Sequence, residues 1–429
     1  MRRLLLVLYN ILGVPLLFLG AVIASFVNPK IRKGLKGRKK IIKKIQQNLS
    51  IVQTENPRVW IHVSSHGEFL QVKPVLSYLK RLNPRIFIII SFFSPSGYDN
   101  IPIHPPVDFT CYLPLDSYFQ AKRFISIISP KFAVIVRHDI WPNFAWRLKR
   151  ERIPLILIDA SIPQKSSRLL PILKGLNRNL FSLMEAILAI SDAEAAKFHQ
   201  LVDNPEKITV IGDTKYDQVF ERSRNLDRIA QLLEESRLKK KKIFVVGSSW
   251  QTDEDHLIPA FQQLCQKFDD LVIIVAPHEP TKNRIEEIEN RLKQAQLTSA
   301  RLSQLTRGQF DVSCLIIDQV GLLANIYYLG KIAFVGGSFH YKIHNVLEPA
   351  VYGIPVLFGP KITNSSEAQN LLKHDAAILV NSDQEIVDVI SNLLENPEHA
   401  KGYGKRARQI VMQNVGSSEK IAQFLLKYL

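Results

Sequence analysis

Val335-Gly336-Gly337-Ser338-Phe339-His340-Tyr341-Lys342-Ile343-His344-Asn345-Val346-Leu347-Glu348-Pro349-Ala350 is the stretch that decides the fold. The apolar run Ile332 to Val335 reads as a buried strand that ends in two glycines and a polar loop. His344 and Asn345 then open a short helix carrying Glu348, and Pro355 to Phe358 reads as the next strand, closed by Gly359-Pro360. Glycine lets backbone approach a ligand closely. A helix start offers free N–H groups and a positive dipole end to a phosphate. Glu348, one turn deeper, is placed to accept both hydroxyls of a ribose. Gly336, Gly337, Ser338, His344, Asn345 and Glu348 therefore outline a nucleotide-sugar site on a strand–loop–helix–strand unit.

Working outward, further apolar runs repeat the unit. Ile243 to Val246, Leu271 to Val275 and Cys314 to Ile317 precede the deciding stretch, and Ala376 to Val380 offers an edge strand after it. An earlier series, Val59 to Val63, Ile86 to Ser91, Phe132 to Val136, Leu155 to Ile158 and Ala186 to Ile190, has the same character. Near-continuous apolar strands suit parallel sheets covered on both faces. Helical patterns between them, such as Phe69 to Leu82 and Asp192 to Leu201, complete the alternation of a doubly wound domain. Asn56-Pro57 breaks the chain before the first series, and the charged stretch Tyr216 to Lys242 separates the two as a solvated linker. Pro397 to Leu429 reads as helical, and no sequence repeat or low-complexity tract is present. The expectation is two α/β domains whose facing carboxyl edges bind ligand.

Composition bounds the rest. A chain of 429 residues, 46% hydrophobic and 22% charged, exceeds one ordinary core and excludes a disordered protein. Its three cysteines, Cys111, Cys265 and Cys314, form no CxxC pair, which argues against a disulfide framework or thiolate zinc site and fits a reducing compartment. The net charge of +17 is concentrated between Lys30 and Lys44, directly behind the uncharged run Leu4 to Val27. That run is long enough to cross about 30 Å of hydrocarbon at about 1.5 Å per residue. A spanning or inserted anchor with the basic block on the cytoplasmic side, touching anionic headgroups, is favoured over a cleaved signal peptide and over a buried helix. Nucleic acid is disfavoured, because no aromatics interleave with the basic residues.

Chemistry gathers at strand ends. In His62-Val63-Ser64-Ser65-His66-Gly67-Glu68, Glu68 is the best general base, against a plain helix-capping role. His66 can assist, and His62 reads as structural. Ser64 beside a histidine raises a serine nucleophile, but the Gly-x-Ser-x-Gly elbow is absent and no acid is evidently placed to orient a histidine. In Arg137-His138-Asp139-Ile140-Trp141-Pro142-Asn143, Asp139 can orient an acceptor group, Arg137 can contact a phosphate, and Trp141-Pro142-Asn143 fixes the loop. No His/Asp/Glu cluster has recognised metal-ligand spacing, so no metal is expected. Gly247-Ser248-Ser249 suits phosphate or carboxylate oxygens. Asp253-Glu254-Asp255 reads as an acid-rich first helical turn. His278, in Pro277-His278-Glu279-Pro280, is either a base or phosphate contact or a loop spacer, and Glu367 caps or lines the donor side.

Together these motifs resemble the 3-deoxy-D-manno-octulosonic acid (Kdo) transferases, membrane-associated glycosyltransferases of the GT-B architecture. The resemblance runs from the anchor through Ser64/Ser65–Glu68, Trp141-Pro142-Asn143, Ile211-Gly212-Asp213-Thr214-Lys215-Tyr216-Asp217, Gly247-Ser248-Ser249, His278, Gly336-Gly337-Ser338, His344-Asn345 with Glu348-Pro349, and Phe358-Gly359-Pro360. It implies inverting transfer of Kdo from CMP-Kdo to a lipid A precursor at the cytoplasmic face of the inner membrane, with no cofactor or required metal. It also implies Glu68 as catalytic base and the glycine loop with His344, Asn345 and Glu348 as the CMP-binding region. Ser64, Ser65, His66, Gly67 and Arg137 fall on the acceptor or phosphate side, and Asp139 joins Glu68 as a catalytic candidate.

The chain departs from the family pattern where many members have Glu-x-Glu and it has Arg137-His138-Asp139. It departs again where many have Arg-His-Pro-Glu-Arg and it has Pro277-His278-Glu279-Pro280. The implied layout is an anchor and basic helix at 1–48, a Rossmann-like acceptor domain at 49–215, a linker at 216–242, a Rossmann-like CMP-sugar domain at 243–405 and a C-terminal helix at 406–429. A GT-B transferase using a UDP-sugar, a non-catalytic membrane scaffold and a sugar epimerase of the same architecture remain alternatives.

Overall fold

The computed structural model describes residues 6–51, 55–99, 106–162, 171–226, 238, 241–304 and 312–429. The chain divides into two compact units, one of Met1–Gln218 with Gly416–Leu429, the other Val219–Val415. Nearly half of the expected linker, residues 227–237 and 239–240, lies outside the described residues. Its beginning is a helix, Thr214–Ser223, with Tyr216, Asp217 and Val219 buried. That part is packed rather than solvated.

The first unit holds strands β1 (Arg58–Val63), β2 (Phe87–Phe92), β3 (Phe109–Tyr112), β4 (Phe132–Val136), β5 (Leu155–Ala160), β6 (Ala186–Ala189) and β7 (Ile208–Val210). They form one seven-stranded sheet in the order β3-β2-β1-β4-β5-β6-β7, and every pairing is parallel. Alternate residues of β1 feed opposite faces, as the two-residue period of a strand requires. Val59, Ile61 and Val63 join one core layer and Trp60 the other. The order reverses between β1 and β4, so the loops after these two strands lie side by side at the topological switch point, where open α/β sheets bind ligands.

The second unit repeats the plan with β8 (Lys242–Ser249), β9 (Leu271–Pro277), β10 (Ser299–Arg301), β11 (Cys314–Ile316), β12 (Ile332–Val335), β13 (Val356–Phe358) and β14 (Ile378–Leu379). Their order is β10-β11-β9-β8-β12-β13-β14, again parallel throughout. The switch falls between β8 and β12, which brings the loop after Gly247 beside the loop after Gly336.

Two elements depart from the sequence expectation, and a third agrees with it in length and composition. The C-terminal stretch is broken at Gly416, whose φ of +110° ends Pro397–Asn414 and starts Ser417–Leu425 in another direction. The second helix buries Ile421, Ala422 and Leu425 in the core of the first unit. The buried Asp217 accepts the Gly416 and Ser418 N–H groups there, at 2.7 and 3.0 Å. The basic block is two helices, Pro29–Gly37 and Ile41–Ile51, and the latter packs Ile41, Ile45 and Leu49 onto the first unit. Arg38 sits over the rings of Phe93 and Tyr112 at 4.7 and 5.2 Å, and burial lowers its pKa to about 10. Finally, Leu6–Val27 is a 22-residue helix long and apolar enough to cross a membrane by length and composition. Its first turns are tied to the first unit: Tyr9 Oη donates to Asp116 at 2.8 Å, and Asn10 Nδ2 donates to Asn143 Oδ1 at 2.8 Å.

Candidate active site

In the first unit the helix expected from Phe69 begins three residues earlier, at His66. Ser65 is its N-cap: Ser65 Oγ accepts the Glu68 N–H at 3.4 Å, while the Glu68 carboxylate accepts the Ser64 N–H at 2.5 Å. A Ser-x-x-Glu start of this kind satisfies donors at a helix end that would otherwise lack partners. The capping and base readings of Glu68 are thus compatible, since the cap holds one carboxylate oxygen and fixes the other in place. A Cβ added at Gly67 would meet nothing nearer than Ser65 Oγ at 3.9 Å, so the loop is open beside Glu68.

The neighbouring loop brings in Asp139. Ser64 Oγ donates to its carboxylate, and His62 Nε2 lies 3.6 Å from the same oxygen. An acid therefore does lie beside a histidine, contrary to the sequence reading. Ser64 gives its proton to that acid rather than to the imidazole, so the arrangement is not a Ser–His–Asp relay. His62 Nδ1 turns away to Ser91, 2.9 Å from Oγ and 3.1 Å from the carbonyl oxygen. Burial opposes the charge on Asp139, but the neighbouring His62 imidazole, the Ser64 hydroxyl and the Trp141 side chain together outweigh it and hold Asp139 below its ordinary value. Glu68 moves the other way: burial raises it, the Ser64 N–H opposes, and the charge of Asp139 adds to the rise. Two carboxylates with diverging acidities are the pattern that separates a proton acceptor from a permanently charged partner.

Arg137 is already engaged. It has φ +65°, donates from Nε to Gln71 Oε1 at 2.8 Å and from Nη1 to Ser161 Oγ at 3.5 Å, and lies 3.9 Å from Asp213. Beside it the buried Asp159 accepts the Thr214 N–H and hydroxyl, at 3.0 and 2.5 Å. Burial, followed by the charge of Asp213, pushes Asp159 up to about 7. Trp141 stacks on Phe93 with centroids 4.9 Å apart, and Asn143 Nδ2 donates to the Asp116 carbonyl at 2.9 Å. These contacts fit the loop-fixing role read for Trp141-Pro142-Asn143.

In the second unit the glycine loop works differently from the expectation. The N–H groups read as phosphate ligands are held within the protein. Gly336 N donates to Gly247 O at 2.8 Å, and the buried Asp253 carboxylate accepts Gly337 N at 2.7 Å, Phe339 N at 3.0 Å and Trp250 N at 2.9 Å. The glycines are there for close packing. A Cβ at Gly336 would come within 2.4 Å of Ser248 O, and one at Gly337 (φ +84°) within 2.2 Å of Lys342 O. Ser338 is buried, donating to Val335 O at 3.1 Å and accepting Gly359 N at 2.7 Å. Ser249 Oγ donates to the buried Glu254 at 2.7 Å, which is itself paired with Arg284. The expected helix after His344-Asn345 is only Leu347–Ala350, too short for an appreciable dipole, and Asn345 Oδ1 accepts the Leu347 N–H at 3.2 Å.

Beside this loop the second unit gathers a cluster of aromatic and imidazole rings. Trp250, which had no role in the sequence reading, stacks on His278 with centroids 4.8 Å apart and on His340 at 5.2 Å. His278 also stacks on His344 at 4.2 Å. Burial and then His278 push His344 down to about 4, so its imidazole is neutral at physiological pH. Glu348 is raised by burial, against the pull of Arg222 at 3.9 Å and Asn345. Glu367 accepts from Ser365 Oγ at 3.0 Å at the start of helix Ser366–Lys373. Among the described residues no group of three or more His, Cys, Asp or Glu is placed to hold a metal ion.

Two doubly wound units of parallel strands define the GT-B class of fold. The UDP-GlcNAc 2-epimerase from Neisseria meningitidis bound to UDP-GlcNAc shares it, with a TM-score of 0.60 and 15% identity over 86% of this chain and 99% of that one. Residues 35–218 match the family model described as 3-deoxy-D-manno-octulosonic-acid transferase (kdotransferase). The 3-deoxy-D-manno-octulosonic acid transferase of Haemophilus influenzae is 26% identical over 86% of this chain and 87% of its own length. That of Chlamydia pneumoniae is 28% identical over 88% and 86%. On this footing the chain is a glycosyltransferase similar to the Kdo transferases over most of its length.

Proposed function

We propose that the protein transfers Kdo, with inversion, from CMP-Kdo to the lipid A precursor lipid IVA in lipopolysaccharide biosynthesis. The first unit serves the acceptor and the second the donor. Glu68 takes the proton of the attacking lipid hydroxyl. The hydroxyl oxygen bonds to the anomeric carbon of Kdo as the bond from that carbon to the phosphate oxygen breaks, and CMP leaves with the electron pair. Asp139 stays ionised beside Ser64 and orients the acceptor. Ser65, His66, Gly67 and Arg137 shape the acceptor or phosphate side.

On the donor side His278, His344, Asn345 and Glu348 contact CMP-Kdo. Gly247, Ser248, Ser249, Gly336, Gly337 and Ser338 build the floor that carries them. The observation that supports this most strongly is the divergence of Glu68 and Asp139 at the β1–β4 switch point, in the unit that matches the Kdo-transferase family model.

A lipid acceptor accounts for the rest of the first unit. Helix Leu6–Val27 enters the inner membrane, with the unit on the cytoplasmic face and the basic helices against anionic headgroups. An apolar cavity of about 560 Å³, lined by Val14, Leu17 and Phe18 of that helix and by Phe93, Leu115 and Trp141, lies along it. The test is CMP release from CMP-Kdo by the purified full chain, with and without lipid IVA, beside a panel of UDP-sugars. Release that requires the lipid and is confined to CMP-Kdo is expected. Turnover of a UDP-sugar alone would refute the donor assignment.

A further inference from the structure

Trp250 and His344 lie edge to edge, almost in one plane, with an interplanar angle of 5° and ring centroids 6.4 Å apart. The Trp250 Nε1–H points at His344 Nε2 over 2.9 Å. His278 lies across the pair, stacked on both rings at 24° and 27°. An indole nitrogen donates and never accepts, so the nitrogen facing it must offer a lone pair. A neutral imidazole carries one N–H, and with Nε2 accepting, that proton sits on Nδ1.

We propose that Trp250 is a positioning residue of the donor site: it locks His344 in the Nδ1–H tautomer, so that His344 donates a hydrogen bond to an anionic oxygen of the sugar nucleotide. The assignment rests on reading the second unit as the donor side. Burial and the neighbouring His278 keep His344 neutral at physiological pH, which leaves the choice of tautomer, and not protonation, to decide what the ring offers. A partner on one ring nitrogen commonly fixes what the other can do.

The test uses the full chain in detergent with 15N-labelled histidine, the His344 signals being identified by their loss in His344→Ala. Long-range proton–nitrogen spectra report which nitrogen is protonated, and titration with CMP reports affinity. The wild type should show Nδ1–H. Trp250→Phe keeps an aromatic face, removes the indole donor and should shift His344 toward the Nε2–H form. The same change should weaken CMP binding about fivefold to tenfold, the worth of about one neutral hydrogen bond. Adding Trp250→Phe to His344→Ala should then cost nothing further, whereas a merely structural tryptophan would add its loss to the other.

His344→Asn, with its amide near the Nδ1 position, should bind CMP better than His344→Gln, and this comparison leaves Trp250 intact. An Nε2–H signal in the wild type, or an unchanged Nδ1–H signal in a folded Trp250→Phe protein, overturns the lock. A wild-type protein with the Nδ1–H signal and no affinity for CMP overturns instead the donor-side reading beneath it, and the hydrogen bond to ligand with it.

Discussion

Replacing Glu68 by Gln separates the two jobs its geometry gives it. Glutamine keeps a carbonyl oxygen for the Ser64 N–H, now held at 2.5 Å, so the helix start at His66 survives. It removes the basic oxygen. Positioned general bases contribute about 10²–10⁴-fold to rate, so kcat should fall by about that factor while CMP affinity stays within about twofold. Glu68→Ala should lose the same rate and, in addition, about 0.5–2 kcal/mol of stability from the broken cap.

The pH profile carries the sign. Burial raises the Glu68 pKa, so protonation of the base cuts off activity at a higher pH than an ordinary glutamate would. Activity should therefore fall as pH drops through that raised value, and this acid limb should be missing from the residual rate of Glu68→Gln. The linked stability runs the opposite way: a raised carboxylate adds stability at acid pH that is lost as pH climbs through its folded value. Initial rates of CMP release from pH 4 to 9, with circular dichroism to verify folding, make the check. Near-normal turnover by Glu68→Gln, or an unchanged acid limb, would refute the base assignment.

Other changes follow from the same contacts. Asp253→Ala strands the N–H groups of Gly337, Phe339 and Trp250. At about 1–3 kcal/mol for each buried unpaired donor, it should destabilise the second unit by at least about 3 kcal/mol in chemical denaturation. Gly336→Ala would drive a methyl toward Ser248 O and should cost about 1–3 kcal/mol by overpacking in the same assay. Glu348→Ala should weaken CMP binding in calorimetry, and an unchanged affinity would count against a ribose contact. Asp116, pushed up to about 6 by burial, should lend stability at acid pH that disappears as pH rises through about 6. Asp116→Asn should flatten that part of the stability–pH curve in thermal unfolding.

Much of the fold could be read because most strands are buried on both faces and so stand out as apolar runs. β4 and β12 fall where the runs predict them, and β1, β2, β8 and β9 differ only at their ends. Three strands escaped notice: β3, buried but only four residues long with Thr110 inside it, and two that lack that signature. β7 is a three-residue strand with Thr209 and Val210 exposed, and β10 is the half-buried Ser299-Ala300-Arg301. Ser65 and Glu68 at capping spacing mark the early helix start at His66, in line with the capping role weighed for Glu68, although the apolar pattern alone begins at Phe69.

The site was legible only in part. Strand ends pointed to Glu68 and Asp139, but no local pattern reports that Ser64 bonds Asp139 75 residues away, or that Asp253 occupies the glycine loop 84 residues on. Asp253 read as helix-start acid and does sit in that first turn. What it binds across the sheet depends on the β8–β12 pairing, which only the fold supplies. Trp250 was missed for the same reason: an isolated tryptophan after a strand says nothing until His278, His340 and His344 are brought around it.

The most direct measurement is mass spectrometry of tetraacylated lipid A precursor incubated with CMP-Kdo and the purified full chain. The account predicts that the lipid gains the mass of one or more whole Kdo residues, with one CMP released for each. An unmodified lipid, with CMP-Kdo intact or hydrolysed to free Kdo, would contradict it.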